Sequence, residues 1–140
     1  MIPRMVLEMG IFGNLFSSES DELNKVIDKW IGMLTPQYKN LWQQWIAKRD
    51  IVAKEMRLSD VDVARLTCRE ASKYAAFSLK RQIGLTESTK ETVIKTRGNT
   101  WAFQNMKAAM DDYEKYSRLV NRTISLEKFD KAIDKVGTRR

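Results

Sequence analysis

Apolar residues along this chain recur at intervals of three and four. Leu23, Val26, Ile27, Trp30, Ile31 and Leu34 make one such stripe, the spacing of a helix face at about 3.6 residues per turn. Thr35-Pro36 interrupts it, and a second stripe of Tyr38, Leu41, Trp42, Trp45, Ile46, Val52 and Met56 follows to about Arg57. Proline suits a first helical turn because its missing N–H has no partner there anyway. Ser59 with Asp62 three residues on has the form of a capping box, opening a third helix that Gly84 is expected to stop. The stretch "LTESTKETVIKTRGNT" reads as a short helical turn at best. Thr100 is the expected cap of a fourth helix carrying Trp101, Met106, Met110, Tyr113 and Val120 inward. Ser125 opens a fifth, with Leu126, Phe129, Ile133 and Val136 on one face and Gly137 as its stop. No segment sustains the alternation of a half-buried strand, and no repeat is visible.

Ahead of these lies a weaker pattern. Met5, Met9, Phe12 and Phe16, with Ile2 and Val6 beside them, keep helical spacing, but Gly10 and Gly13 weaken a helix there. The acidic, serine-rich "SSESDE" then breaks the stripe and supplies oxygens for an N-cap. The expected organisation is therefore an amphipathic arm over residues 1–19 and a helical-bundle domain over 20–140. The fold class is all-α, an antiparallel four- to five-helix bundle joined by short connections. Trp30, Trp42, Trp45 and Trp101 all lie on apolar stripes, where packing in the core or against another subunit is the expected role. Large residues on several faces of one long helix also suggest self-association.

Composition removes several classes of function. The chain has no histidine, which excludes imidazole metal sites and histidine acid–base chemistry. Cys68 is the single cysteine, so no intrachain disulfide forms, and its neighbours Ala64, Ala71 and Ala75 suggest a small buried residue. There is no Walker loop, no glycine-rich phosphate cradle after a strand and no metal-ligand spacing. Carboxylate pairs such as Asp111-Asp112 and Asp130-Asp134 fall on polar helix faces. The chain is read as a non-enzyme, with no catalytic residues and no cofactor or metal implied. "MIPRMVLEMGIFGNLF" has one cation and no small-residue cleavage site, so no secretory signal is expected, and no apolar run is long enough to span a bilayer. Without a signal the default location is cytoplasmic.

Charge adds what the pattern cannot. Twenty-five Lys and Arg against eighteen Asp and Glu leave +7. The excess is uneven: −2 over residues 1–35, +5 over 36–85 and +4 over 86–140. A positive field of this kind attracts a polyanion or an anionic membrane surface. Its sharpest expression is "RLTCREASKYAAFSLKRQIG", where Arg65, Arg69, Lys73 and Lys80 fall in a sector about 80° wide at 100° per residue. Ala64, Cys68, Ala71 and Ala75 line one flank, and Tyr74 and Phe77 lie on the other. Cations one turn apart sit about 6 Å from one another, a useful pitch for a row of phosphates, and arginine adds a fork of donors. Arg81, Lys48, Arg49 and Arg57 can extend this nucleic-acid-binding surface, as can Lys54, Lys95 and Arg97. Asp62 shares the sector and can neutralise part of it. "LSDVDVARLTCRE" has the look of the first helix of a helix-turn-helix, but the turn is missing. Backbone binding without base specificity is the expectation.

The C-terminal half resembles a known family. "KYAAFSLKRQIG" is similar to a central basic helix, and "FQNMKAAMDDYEKYS" followed by "SLEKFDKAIDKVG" to a closing helix pair, of the major coat proteins of filamentous archaeal viruses. The likeness is to the rod-shaped and lipid-enveloped groups and spans about residues 60–137. It implies a four-helix-bundle core with an N-terminal arm, located in the virion. Paired subunits, often two related coat proteins, would wrap linear double-stranded DNA into a helical filament. The positions facing the duplex would be Arg65, Arg69, Lys73, Lys80 and Arg81, with Lys48, Arg49 and Arg57. The arm departs from the family, having Arg4 as its one cation; its Met and Phe stripe suits a neighbouring subunit or an envelope better than DNA. Two other readings stay open: a helical adaptor or inhibitor binding a protein partner through its aromatic faces, and a membrane-surface protein using residues 1–17.

Overall fold

The structure of the protein, a computed structural model, describes the backbone of residues 10–88 and 92–138 and the side chains of 19–84 and 101–137. Five helices account for nearly all of it: α1 (Gly10–Ile31), α2 (Pro36–Met56), α3 (Asp60–Ser88), α4 (Thr92–Asn121) and α5 (Leu126–Thr138). No strand occurs among the described residues. The chain is an all-α bundle.

Local chemistry sets most helix ends. Pro36 opens α2 after Thr35, whose backbone is extended. The Thr35 side chain makes no capping bond; instead its N–H donates to Ser78 Oγ at 3.2 Å, and that hydroxyl lies 3.3 Å from the Met33 carbonyl. The α1–α2 turn is thus pinned to the middle of α3. α2 closes on Arg57 in the left-handed region at φ 54°, with Arg57 N–H bonded to Lys54 O and Leu58 N–H to Ala53 O. That pair of bonds is the Schellman closure usually built on glycine. Ser59 Oγ accepts the Asp62 N–H at 3.1 Å to start α3, and Ser125 Oγ accepts the Lys128 N–H at 3.2 Å to start α5.

α3 is the central helix. It packs along α4 over most of its length and also against α1 and α2, while α5 packs on α2 and α4. Its small residues explain the position: Cys68, Ala71, Ser72, Ala75 and Ser78 are all essentially inaccessible and let neighbouring backbones come close. Around them Trp30, Trp42, Trp45, Val52, Leu66, Val120 and Phe129 fill the core, each large side chain contributing about 2 kcal/mol by leaving water. Trp42 stacks on Trp45 with centroids 5.3 Å apart, and Trp45 meets Phe129 edge-on. The Trp30 indole N–H donates to Asp112 at 2.8 Å, which satisfies its one polar atom. Three of the four tryptophans are core residues; Trp101 is half exposed. Cys68 is inert as expected. Its Sγ donates to Leu23 O, and burial, aided by Asp112, pushes the thiol pKa up to about 12.

Three boundaries differ from those the pattern suggests. Gly84 lies inside α3, and residues 92–100, expected to be turn-like and closed by a Thr100 cap, belong to α4. A glycine costs a helix only about 1 kcal/mol, too little to end one of this length. "SSESDE" is likewise interior to α1, which runs through the expected boundary between residues 19 and 20. Glu19 there binds Arg65 on α3, anchoring a segment that propensity alone would release. The stripe of Ile2, Met5, Val6 and Met9 lies outside the described residues.

Candidate nucleic-acid interface

The row Arg65–Arg69–Lys73 on α3 is tied to carboxylates of the protein itself, and its middle member is buried. Arg69 is 6% exposed. Its guanidinium donates to both oxygens of Asp130 on α5 at 3.2 and 3.0 Å, and to Ser117 Oγ and Tyr113 OH on α4 at 3.0 and 3.2 Å. The carboxylate of Glu70, itself buried, lies 3.7 Å away and binds Lys73 Nζ at 2.7 Å with its other oxygen. Burial alone would lower the pKa of Arg69, but the hydrogen bonds and charge of Asp130, with Tyr113 and Glu70, raise it above its ordinary value. Lys73 behaves likewise: burial lowers, and Glu70 more than restores. Both are held as cations, Arg69 buried and Lys73 partly exposed at the edge of the α3–α4 groove. Arg65 donates through two nitrogens to Glu19 on α1. The expectation of a solvent-facing strip is thus corrected for Arg69, which is buried, while Arg65 and Lys73 are partly exposed and paired with acids. Each meets a carboxylate because α3 is surrounded, and a cation there must be paired to be buried.

The remaining nominated residues do not gather. Arg49 is held by Asp50 at 2.8 Å and donates to Thr67 Oγ1 at 3.1 Å. The Lys48 ammonium lies against Gly137 of α5, 3.1 Å from where a side chain there would begin. Arg57 is exposed at the C-terminal end of α2, beside the start of α3, whereas Lys80 and Arg81 are exposed some 30 Å further along α3 at its 1.5 Å rise per residue. Lys95 and Arg97 have no described side chains. Asp62, expected to neutralise the strip, instead accepts the Thr123 hydroxyl at 2.6 Å and ties α3 to the α4–α5 turn.

Internal pairing leaves the net charge untouched. Arg49, Arg65, Arg69, Lys73 and Lys131 are matched by Asp50, Glu19, Asp130, Glu70 and Glu127, as many anions as cations. The +7 excess therefore sits on other side chains. Among the described residues the densest exposed set of cations follows Tyr113: Lys115 and Arg118 on α4, Arg122 in the turn after it and Lys128 on α5, with Glu127-paired Lys131 and then Lys135 beyond. Over that stretch the acids are Glu114, Glu127, Asp130 and Asp134, with Asp130 turned inward to Arg69. The helical spacing of these cations is visible in the sequence, but on the polar faces of the closing helices only the carboxylates are weighed.

A second open feature is apolar. α3 and α4 alone line a groove with a floor of Ala76, Phe77, Phe103, Met106 and Met110, in two adjoining cavities of about 650 and 530 Å³. Phe77, Phe103 and Met110 are each about half exposed. Among the described residues no cluster of metal-ligating side chains occurs, and no helix is long and apolar enough to cross a membrane. No protein-family model, no curated protein and no solved structure matches this chain.

Proposed function

We propose that this chain is a structural nucleic-acid-packaging subunit, in the manner of a filamentous-virus coat protein, that holds linear double-stranded DNA by its backbone and works by repetition. The observation that supports this reading is the +7 charge, which the five ion pairs among the described residues leave unneutralised because each takes one cation and one anion. The contact is assigned to Arg118, Arg122 and Lys128, exposed cations around the α4–α5 turn, with Lys80 and Arg81 as a second group. Phosphate contacts of this kind position a protein on DNA without reading bases.

A subunit neutralising about four phosphates loses roughly a hundredfold in affinity between 50 and 200 mM salt, and filament assembly restores tight binding by multivalency. Electron microscopy of the purified chain with linear duplex at 50 mM salt is expected to show regular filaments. Changing Arg118, Arg122 and Lys128 together to Gln should weaken binding and reduce the salt slope by about three, with the thermal midpoint unchanged. Absence of binding at 50 mM salt, or undiminished binding by the triple variant, rejects the reading.

The apolar groove favours a second reading, a helical adaptor or inhibitor that captures a protein partner. Indifference to duplex at low salt, with tight capture of one protein that Phe103→Glu abolishes, selects it.

A further inference from the structure

We infer that the α3–α4 groove is the seat for residues 2–9 of a second copy of this chain, so that copies join head to tail. The argument begins with what the groove lacks. α3 and α4 run to 29 and 30 residues, whereas α5 has 13. At the level of Arg69, α5 covers the pair; from Lys73 to Gly84 the same flank carries half-exposed Phe77, Phe103 and Met110. A helix is missing from the bundle there, over a length of about 16 Å at 1.5 Å per residue.

The sequence holds a segment of matching form. Ile2, Met5, Val6 and Met9 stand at i, i+3, i+4 and i+7, the anchor spacing of a helix laid into an apolar groove. Wound as a helix, residues 2–9 extend about 11 Å, within the groove's length. Pro3 falls in the first turn, where its missing N–H costs nothing. Arg4 and Glu8 fall on the face opposite the anchors, so neither charge is buried. Methionines on both sides, Met5 and Met9 against Met106 and Met110, supply soft side chains that adapt to one another.

Reach decides which copy supplies the segment. α1 runs parallel to α3, with Leu23 O on Cys68 Sγ and Met33 O on Ser78 Oγ. Gly10, the first residue of α1, therefore lies about 20 Å beyond the level of Cys68, away from the groove. The groove begins at Lys73, about 7 Å past Cys68 in the other direction. The gap of about 27 Å equals the full extended length of eight residues. Residues 2–9 cannot both cross that gap and lie in the groove of their own chain. A contact between two different surfaces, arm to groove, is heterologous and propagates as an open chain of subunits unless its rotation closes a ring.

The test is complementation in sedimentation velocity, with no nucleic acid present. The intact chain is expected to form a concentration-dependent series of oligomers. A variant lacking residues 2–9, and a full-length Met110→Glu variant, should each be monomeric; mixed in equal amounts they should form a one-to-one dimer and nothing larger. Phe103→Glu serves in place of Met110→Glu if the latter loses its helical circular dichroism. An intact chain that stays monomeric, a deletion variant that still self-associates through a face-to-face contact, or a mixture without dimer overturns the inference. So does a synthetic peptide of residues 1–12 that binds anionic vesicles but not the deletion variant. Because DNA is absent, failure here leaves the packaging proposal standing, and failure of DNA binding leaves this one standing.

Discussion

Along α3, the stretch from Arg65 to Tyr74 and the stretch from Phe77 to Gly84 have similar ingredients: cations, small residues and an aromatic. The first is enclosed by α1, α2, α4 and α5, and its three cations end on Glu19, Asp130 and Glu70. The second is covered by α4 and by the α1–α2 turn at Met33 and Thr35, with Leu79 and Ile83 turned in and Phe77, Lys80 and Arg81 left out. What separates the two is the length of their neighbours. Burial is decided by which helices extend alongside, and a helix's own sequence specifies that only indirectly.

That contrast can be broken most forcefully at its enclosed end. Arg69→Ala is expected to cost about 3 kcal/mol, because it leaves Asp130, Tyr113 and Ser117 without their shared donor. Lys80→Ala and Arg81→Ala should stay within about 0.5 kcal/mol. Urea unfolding measures all three, and equal costs would mean that the two halves do not differ as described. The triple change of Arg65, Arg69 and Lys73 to Gln, which an open strip would tolerate, should for the same reason lower stability before it touches any ligand.

A neighbouring pair of apolar residues sharpens the point. Leu79 is inaccessible and Phe77 is 49% exposed, so Leu79→Ala should cost about 3 kcal/mol and Phe77→Ala under about 1. A large loss at Phe77 in a monomer would show that the groove is already filled from within.

Alkaline pH attacks the enclosed half selectively. The Cys68 thiol keeps its proton in the fold to about pH 12, and in the unfolded chain releases it near its ordinary pKa of 9.0. Between those values the unfolded state binds fewer protons, so stability falls as pH rises, by about 1 kcal/mol per pH unit. Tyr116, its phenol pushed up to about 12 by burial, Cys68 and Asp112, adds to the same slope above pH 10. Urea midpoints at pH 8 and pH 11 should differ, and Cys68→Ala should flatten the difference; a slope unchanged in that variant would assign the effect elsewhere.

The smallest expected effect is at the edge of the enclosed half. Arg57→Gly relieves a left-handed arginine and should stabilise by up to about 1 kcal/mol, read as a raised urea midpoint.

Much of the fold was legible. The stripes through Trp30, Trp42, Trp45 and Phe129, the Pro36 start and the Ser59 and Ser125 caps are periodic or local signals, and the bundle uses them all. Gly84 and "SSESDE" misled because a penalty of about 1 kcal/mol is outweighed by tertiary packing and by the Glu19–Arg65 tie. The cationic row misled for a related reason. An 80° sector is computed on one helix at a time, whereas Asp130 and Glu19 lie 61 and 46 residues away in sequence. One clue was present: the small residues Cys68, Ala71 and Ala75 on one flank mark the side on which neighbouring helices close.

The Arg69 clamp also constrains the order of events during synthesis. The arginine leaves the ribosome long before Tyr113, Ser117 and Asp130 do, and an unpaired guanidinium resists dehydration. A nascent chain made as far as α3 can wind its helices, but it has every reason to keep that charge in water. Closure of the core waits for α5, so the last helix acts as the latch of the whole assembly.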